Sequence, residues 1–315
     1  MELGILQAVD IKAKARELGF DACGIAPASD LPELGFFSEW LARGYGGSMA
    51  YLARSAARRS DVRHVVPTAR SVIVVAMVYN TDRPYSTESR DPARAHIARY
   101  AWGDDYHEVI SSRLEALLAW MRERSAEPFD ARAYVDTGPV LERVYARHAG
   151  IGWIGKNTCV INPTLGSWIF LGEVICSLEL PPDGPALDQC GTCALCLEAC
   201  PTQALVAPGV LDSNRCISYL TIEHRGPIEP SLTAEIGSHI YGCDICQEVC
   251  PWNATAPTSG NRAWQPRAVW DQPRIADLVQ MPDEALQSAL DGSAMSRATP
   301  AGMRRNIEIA AANVK

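Results

Sequence analysis

The chain has 315 residues, 47% of them hydrophobic, and a formal net charge of -8. That length buries a substantial core and suits two domains, while the acidic balance excludes a global basic field for nucleic acid and leaves only a local basic patch. No apolar stretch is long and uninterrupted enough for a membrane-spanning helix.

The opening segment "MELGILQAVDIKAKARELGF" reads as an amphipathic helix, with Ile5, Val9, Ile11 and Leu18 among its apolar positions. It has the form of neither a signal peptide nor a twin-arginine leader, so the expected location is the cytoplasm. "SVIVVAMVY" (71–79) predicts a buried strand. "DDYHEVISSRLEALLAWMRER" (104–124) predicts a helix with Ile110, Leu114, Leu117 and Met121 on one face and Asp104 or Asp105 as its cap. "ARAYVDT" (131–137) predicts a strand, "VLERVYARHAG" (140–150) a helix ended by Gly150, and "SWIFLGEVICSLEL" (167–180) one or two strands. This alternation implies a layered α/β or α+β domain around one sheet, over residues 1–180.

"PPDGPALDQ" (181–189) is a linker, and the cysteines crowd after it. Residues 181–260 read as a second domain, and 261–315 as a short helical C-terminal segment. Eight of the 11 cysteines lie between 190 and 250. Cys190, Cys193, Cys196 and Cys200, followed by Pro201, match the ferredoxin spacing C-x₂-C-x₂-C-x₃-C-P. Three thiolates two residues apart can wrap one cubane, and the fourth points to a second cluster. "CDICQEVCP" supplies Cys243, Cys246 and Cys250 for the partner group. Ile240 stands where a perfect repeat would have cysteine, and Cys216 fills the gap. The expected ligands are therefore Cys190, Cys193, Cys196 and Cys250 for one [4Fe–4S] cluster, and Cys200, Cys216, Cys243 and Cys246 for the other. Paired zinc sites are the alternative, but zinc does not account for the repeated three-cysteine register followed by Cys-Pro. Disulfides fit least in a cytoplasmic protein. Cys23, Cys159 and Cys176 fall outside the pattern and are expected to be small buried apolar residues.

The segments "RYAWGDDYH" (99–107), "YVDTGPVLER" (134–143), "GIGWIGKNTCVI" (150–161), "GSWIFLGEV" (166–174), "CISYLTIEHRGPI" (216–228) and "GCDICQEVCPWN" (242–253) occur in this order around the cysteine sets. Together they resemble the epoxyqueuosine reductase family, with a weaker echo in "MRRNIEIAAAN" (303–313). The resemblance implies a nitroreductase-like α/β-layered N-terminal domain that holds base-off cobalamin, and a ferredoxin-like two-cluster domain that feeds it electrons. It implies a tRNA substrate carrying epoxyqueuosine at the wobble position, reduced to queuosine in the last step of queuosine biosynthesis. An external low-potential electron donor would be needed, and the chain is expected to act as a monomer.

The resemblance also implies residue roles. Asp136 is the expected proton donor, with Tyr106 lining its pocket, and Asp136 would need a raised pKa to donate near neutral pH. His107, like Tyr106, could line the pocket or relay protons, although a single histidine near a helix start more often caps the helix or faces solvent. "GIGWIGKN" lacks phosphate-loop spacing, and Gly155, Lys156 and Asn157 read as part of a cobalamin cradle. Arg59, Asp136, Ser167, Ser218, Thr221 and Asp244 are further candidate cobalamin contacts. His224, Arg225, Arg304 and Arg305 are the expected tRNA rim, because "GMRRN" reads as a helix start able to grip phosphate. Arg54 and Arg63 are the reserve candidates. Two other readings are a corrinoid reductive dehalogenase and an electron-transfer module without a substrate of its own.

Overall fold

The structure, a computed structural model, describes residues 6–89 and 91–314. Ile5, one expected apolar helix position, lies outside them. Strand β2 explains the sheet. It runs Ser71–Val78, preceded by β1 (Ala22–Pro27) and followed by β3 (Ala131–Tyr134) and β4 (Ile169–Cys176). All eight residues of β2 are buried, because its alternate side chains enter two apolar layers. Ile73, Val75 and Met77 face one layer, and Val72, Val74, Ala76 and Val78 face the other. A strand with two apolar faces needs neighbours on both edges and cover on both faces. The sheet order is β1-β2-β4-β3, antiparallel throughout, which makes the domain α+β rather than doubly wound.

Helices Ala8–Glu17 and Tyr106–Arg124 cover the first face. The second follows its expected pattern: Ile110, Leu114, Leu117 and Met121 are buried, and the Asp105 carboxylate caps it by accepting from His107 N–H at 3.0 Å. Helix Glu142–His148 covers the other face. It packs so near β1 that a Cβ on Gly24 would stand 1.9 Å from the Ala149 carbonyl oxygen, so only glycine fits there.

Two predicted boundaries move. The strand expected over 131–137 ends at Tyr134, because Asp136 turns into the left-handed region at φ 56° and Thr137 N–H closes on Val135 O at 2.5 Å. The strand expected over 167–180 is confined to Ile169–Cys176.

The cysteine region has little regular structure beyond short helices such as Leu195–Ala199, Ile217–Ile222 and Ile245–Glu248. The C-terminal segment is helical as expected but is not an appendage. Its helices Ile275–Gln280, Asp283–Leu290 and Pro300–Asn313 share one core with Ala95, Ile97, Ala101, Ile240 and Tyr241. His96–Ile97 pairs in parallel with His239–Tyr241 in the same area, and Trp264 joins the core beneath the sheet. Packing therefore ties residues 261–315 to both preceding regions. Among the described residues, no helix is long and apolar enough to cross a membrane.

Candidate cofactor and substrate site

The fold brings Cys250 to the first cysteine loop. Cys190, Cys193, Cys196 and Cys250 line one cavity, together with Lys156, Asn157 and Trp252. Cys250 joins this group from 50 residues or more away because helix Leu195–Ala199 packs on helix Ile245–Glu248. Burial pushes the Cys250 thiol up to about 11, and Cys190 and Cys196 add to it. In the other group, burial raises the Cys216 thiol with a contribution from Cys200, and it raises Cys243 with a contribution from Cys216. Cys246 is raised by its hydrogen bond to Cys159, then by burial, Cys243 and Cys216. Ile240, at the gap in the repeat, is a wholly buried strand residue. Thiols gathered this closely without a cation favour a bound positive centre. Cys176 is buried as expected, but Cys159 is not a plain core residue, because it hydrogen-bonds Cys246.

Asp136 stands on the loop after β3 with its side chain 62% exposed. Its carboxylate accepts from Tyr106 Oη at 3.1 Å and faces His107 Nε2 at 3.4 Å. The other imidazole nitrogen, Nδ1, lies 2.7 Å from Asp105 Oδ1, so the capping residue also aims the ring. Tyr106 is stacked on Phe170 of β4 at 4.5 Å between centroids, which fixes its hydroxyl. Burial alone would lower the His107 pKa, but hydrogen bonds to Asp105 and Asp136 carry it to about 9. The same pairing overturns the expectation for Asp136. The crowded walls of the site work to raise it, yet the bond and charge of His107, the Tyr106 hydroxyl and Arg143 hold it below the ordinary carboxylate range. Both shifts favour a proton on the imidazole, held by the Asp136–His107 pair as a unit.

Arg59 is half-buried beside this loop and donates to Val140 O at 2.9 Å and Ser55 Oγ at 2.9 Å. Tyr51 lies under the Arg297 guanidinium at 5.6 Å and within reach of the charges of Glu223, Asp136 and Arg59. Helix Ile217–Ile222 begins at Cys216. Its Thr221 hydroxyl accepts from Gly242 N–H at 2.9 Å, and Ser218 lies against the Cys216 thiol. Ser167 is buried at the joint with the cysteine region, donating to Gln247 Oε1 at 2.9 Å and receiving from Asn253 Nδ2 at 2.9 Å. Asn157 donates to Cys246 O at 3.1 Å. Asp244 accepts the Arg99 N–H at 2.6 Å, and burial with Glu248 nearby pushes its carboxyl up to about 7.

Other predicted contacts are placed differently. The Lys156 ammonium donates to Gly191 O at 2.7 Å and Cys193 O at 2.8 Å, so it clamps the first cysteine loop. Gly155 is held under Ile161, whose Cδ1 would lie 2.4 Å from a Cβ there. The arginine rim also needs correction. The last helix starts at Pro300 with Thr299 as its cap, so Arg304 and Arg305 lie past its first turn. Arg304 donates to Leu278 O and Met281 O, and Arg305 to Leu220 O, His224 O and Gly226 O. Arg225 donates to Ile222 O and Arg297 O. His224 shares a hydrogen with Pro227 O at 3.0 Å. These side chains close chain ends and loops because a guanidinium fork meets several carbonyls at once.

Three charged residues escaped the sequence reading. Glu142 accepts the Asp136 N–H at 2.5 Å, and Arg143 holds Thr158 O at 2.7 Å. Glu173 is completely buried in β4. Its signal was a carboxylate in the apolar run "SWIFLGEVIC" at the inward alternation of Ile169 and Ile175.

Thiols in ferredoxin spacing, in one chain with a carboxyl–imidazole pair able to hold a proton, are the equipment of an iron–sulfur oxidoreductase. Comparison with known proteins narrows the class. The family model described as "Epoxyqueuosine reductase QueG, DUF1730" matches residues 59–137, and the 4Fe-4S double cluster binding domain matches 189–253. The epoxyqueuosine reductase of Synechocystis is 42% identical over 297 residues, covering 90% of this chain and 98% of its own. That of Gloeobacter violaceus is 43% identical, with 95% and 94% covered. A solved epoxyqueuosine reductase with an epoxyqueuosine-modified tRNA stem loop has a TM-score of 0.85 at 29% identity, covering 97% of this chain and 80% of that one. The chain belongs to the epoxyqueuosine reductase family. It is an oxidoreductase that converts epoxyqueuosine to queuosine and carries iron–sulfur clusters.

Proposed function

We propose that the substrate is the epoxyqueuosine base at the wobble position of tRNA, reduced on the face that carries Asp136. The observation that carries this reading is the hydrogen-bonded Asp105–His107–Asp136 relay with Tyr106. The reaction takes the epoxide, two electrons and two protons to an alkene and water. Two [4Fe–4S] clusters on the crossed cysteine sets supply the electrons one at a time.

Cobalamin suits the polar residues of this face. Its corrin amides are neutral hydrogen-bonding groups, and Arg59, Tyr51 and Ser218 offer matching donors and acceptors. Thr221, Asp244, Ser167 and Asn157 are buried, so they would support the wall rather than touch the cofactor. When bound there, cobalamin would supply a low-potential metal centre able to attack or reduce the epoxide. This chain's own residues handle the proton. His107 holds it at neutral pH, Asp136 directs it toward the epoxide oxygen, and Asp105 keeps the imidazole aimed. Tyr106 fixes the receiving carboxylate by its hydroxyl. A protonated oxygen leaves as hydroxyl, which an alkoxide does poorly.

The solved relative with its tRNA stem loop supports an RNA partner here. Arg54 and Arg58, both exposed on the helices leading to Arg59, are placed to meet phosphate near the site. Asp136→Asn tests the assignment. The near-isosteric change should leave iron content and fold intact and lower turnover by roughly a hundred- to ten-thousand-fold. Near-parental queuosine formation on epoxyqueuosine-containing tRNA would refute the role.

A further inference from the structure

Glu173 sits in β4 between Val74 of β2 and Tyr134 of β3. It is 0% exposed, and neither carboxyl oxygen meets a donor among the described residues. The group against it is a second carboxyl, Glu142 on the helix that covers this face. Glu142 in turn receives the Asp136 N–H through Oε1 at 2.5 Å. Buried carboxylates are retained only when hydrogen-bonded or paired with a cation. Glu173 faces only acidic groups, Glu142 and Asp136. The cations in reach, Arg143 and Arg59, act on Glu142. Two adjacent carboxyls in such a place are satisfied by one shared proton, with the neutral O–H donating to the other oxygen.

The loop they support is strained. Asp136 has φ 56°, a conformation uncommon for a residue with a side chain. A Cβ on Gly138 would stand 2.5 Å from the Tyr134 ring, so the loop is pressed onto the strand that pairs with Glu173. We propose that Glu142 and Glu173 share one proton across their carboxyls, and that this pair is the positioning device that holds the Asp136 loop in place. Glu173 donates its O–H to Glu142, which leaves Glu142 anionic and able to keep the Asp136 N–H. Burial, then the charge of Glu142, holds the Glu173 carboxyl well above its ordinary range. Burial and Asp136 push Glu142 up to about 7. Loss of the shared proton leaves two facing carboxylates, and their repulsion frees Asp136 N–H. The catalytic purpose of the pair rests on Asp136 being the proton donor; its protonation does not.

Infrared spectra of the purified protein test the shared proton without turnover. At neutral pH the difference spectrum between the parent and Glu173→Gln should contain a protonated-carboxyl C=O band, with the Asp244 carboxyl common to both proteins cancelling. Absence of that difference band overturns the proposal. Glutamine can still donate to Glu142 through its amide, so Glu173→Gln should retain turnover and flatten the part of the kcat–pH profile that follows loss of the shared proton. Glu142→Ala removes the acceptor and should lower kcat by about a hundredfold with KM little changed, as a displaced reacting group does. Glu142→Gln keeps an oxygen for Asp136 N–H and should recover part of that loss. Parental kcat in Glu142→Ala would refute the positioning role. If Asp136→Asn retains turnover while the band is intact, it is the proton-donor reading that fails, and the carboxyl pair stands.

Discussion

The sheet domain and the cysteine region are held together by different forces. In β2 every residue is buried, and both faces meet apolar side chains from helices far away in the chain. The cysteine region instead leaves Gly191, Thr192 and Cys193 exposed, and the helices that carry its ligands have only four to six residues. Helices that short do not persist on their own. Apolar burial organises the sheet, whereas the cysteine loops add metal ligation to a small apolar core around Ile217, Leu220, Ile236 and Ile240. The Asp136 loop is carried by the sheet domain, and the iron–sulfur binding segment is the part that metal holds in shape.

Removing iron with a chelator should give the largest effect on this contrast. Turnover should vanish, and amides over 190–253 should exchange rapidly while those of β2 and β4 remain protected. Equal loss of protection in the sheet would mean that the clusters hold the whole chain. Cys216→Ala is the narrower form of the experiment. Iron analysis should find about one cluster per chain remaining, because the other set keeps its four ligands.

His107→Gln acts on the rigid side of the junction. In the parent, the imidazole is raised to about 9 by Asp105 and Asp136. A cation with a raised folded-state pKa stabilises the fold fully below the ordinary histidine pKa and loses that contribution as pH rises through about 9. Turnover governed by the stored proton should fall over the same alkaline limb. In the glutamine variant that limb should disappear and turnover near neutral pH should drop by about tenfold or more. An unchanged pH profile would separate His107 from the reaction.

Arg304→Ala should have the smallest effect. Its guanidinium bonds to Leu278 O and Met281 O and pairs with Asp283, so truncation should cost about 1–3 kcal/mol of stability, measured by urea unfolding. The salt dependence of tRNA binding should remain parental, whereas Arg54→Ala with Arg58→Ala should flatten it. The opposite result would return the RNA rim to the C-terminal helix.

Several elements were legible because their information is local. The burial of Ser71–Val78 follows from its composition, the face of helix Tyr106–Arg124 from its spacing, and its Asp105 cap from residue type. The iron–sulfur segment was legible because ligation imposes a short fixed spacing. For His107 the sequence leaves a proton relay and a helix cap both open, because nothing near it in sequence announces a partner 29 residues away. Arg304 and Arg305 were misplaced for a related reason. A guanidinium reads the same whether it will meet a phosphate or a carbonyl, and their partners are supplied by loops brought in from 220–226 and 278–281.

The amino-acid order alone determined the strand and helix periods, the ligand spacing and, through its ordered motifs, the family. Tertiary structure decided which charges became partners. It set His107 on Asp136, reversing the expected direction of the aspartate's pKa, and brought Glu173 of one strand against Glu142 of a helix. The physical reason is range. Side-chain periodicity and chelate spacing act over a few residues, whereas the protonation state of a carboxyl depends on charge and burial supplied by whichever segments the closed fold places beside it.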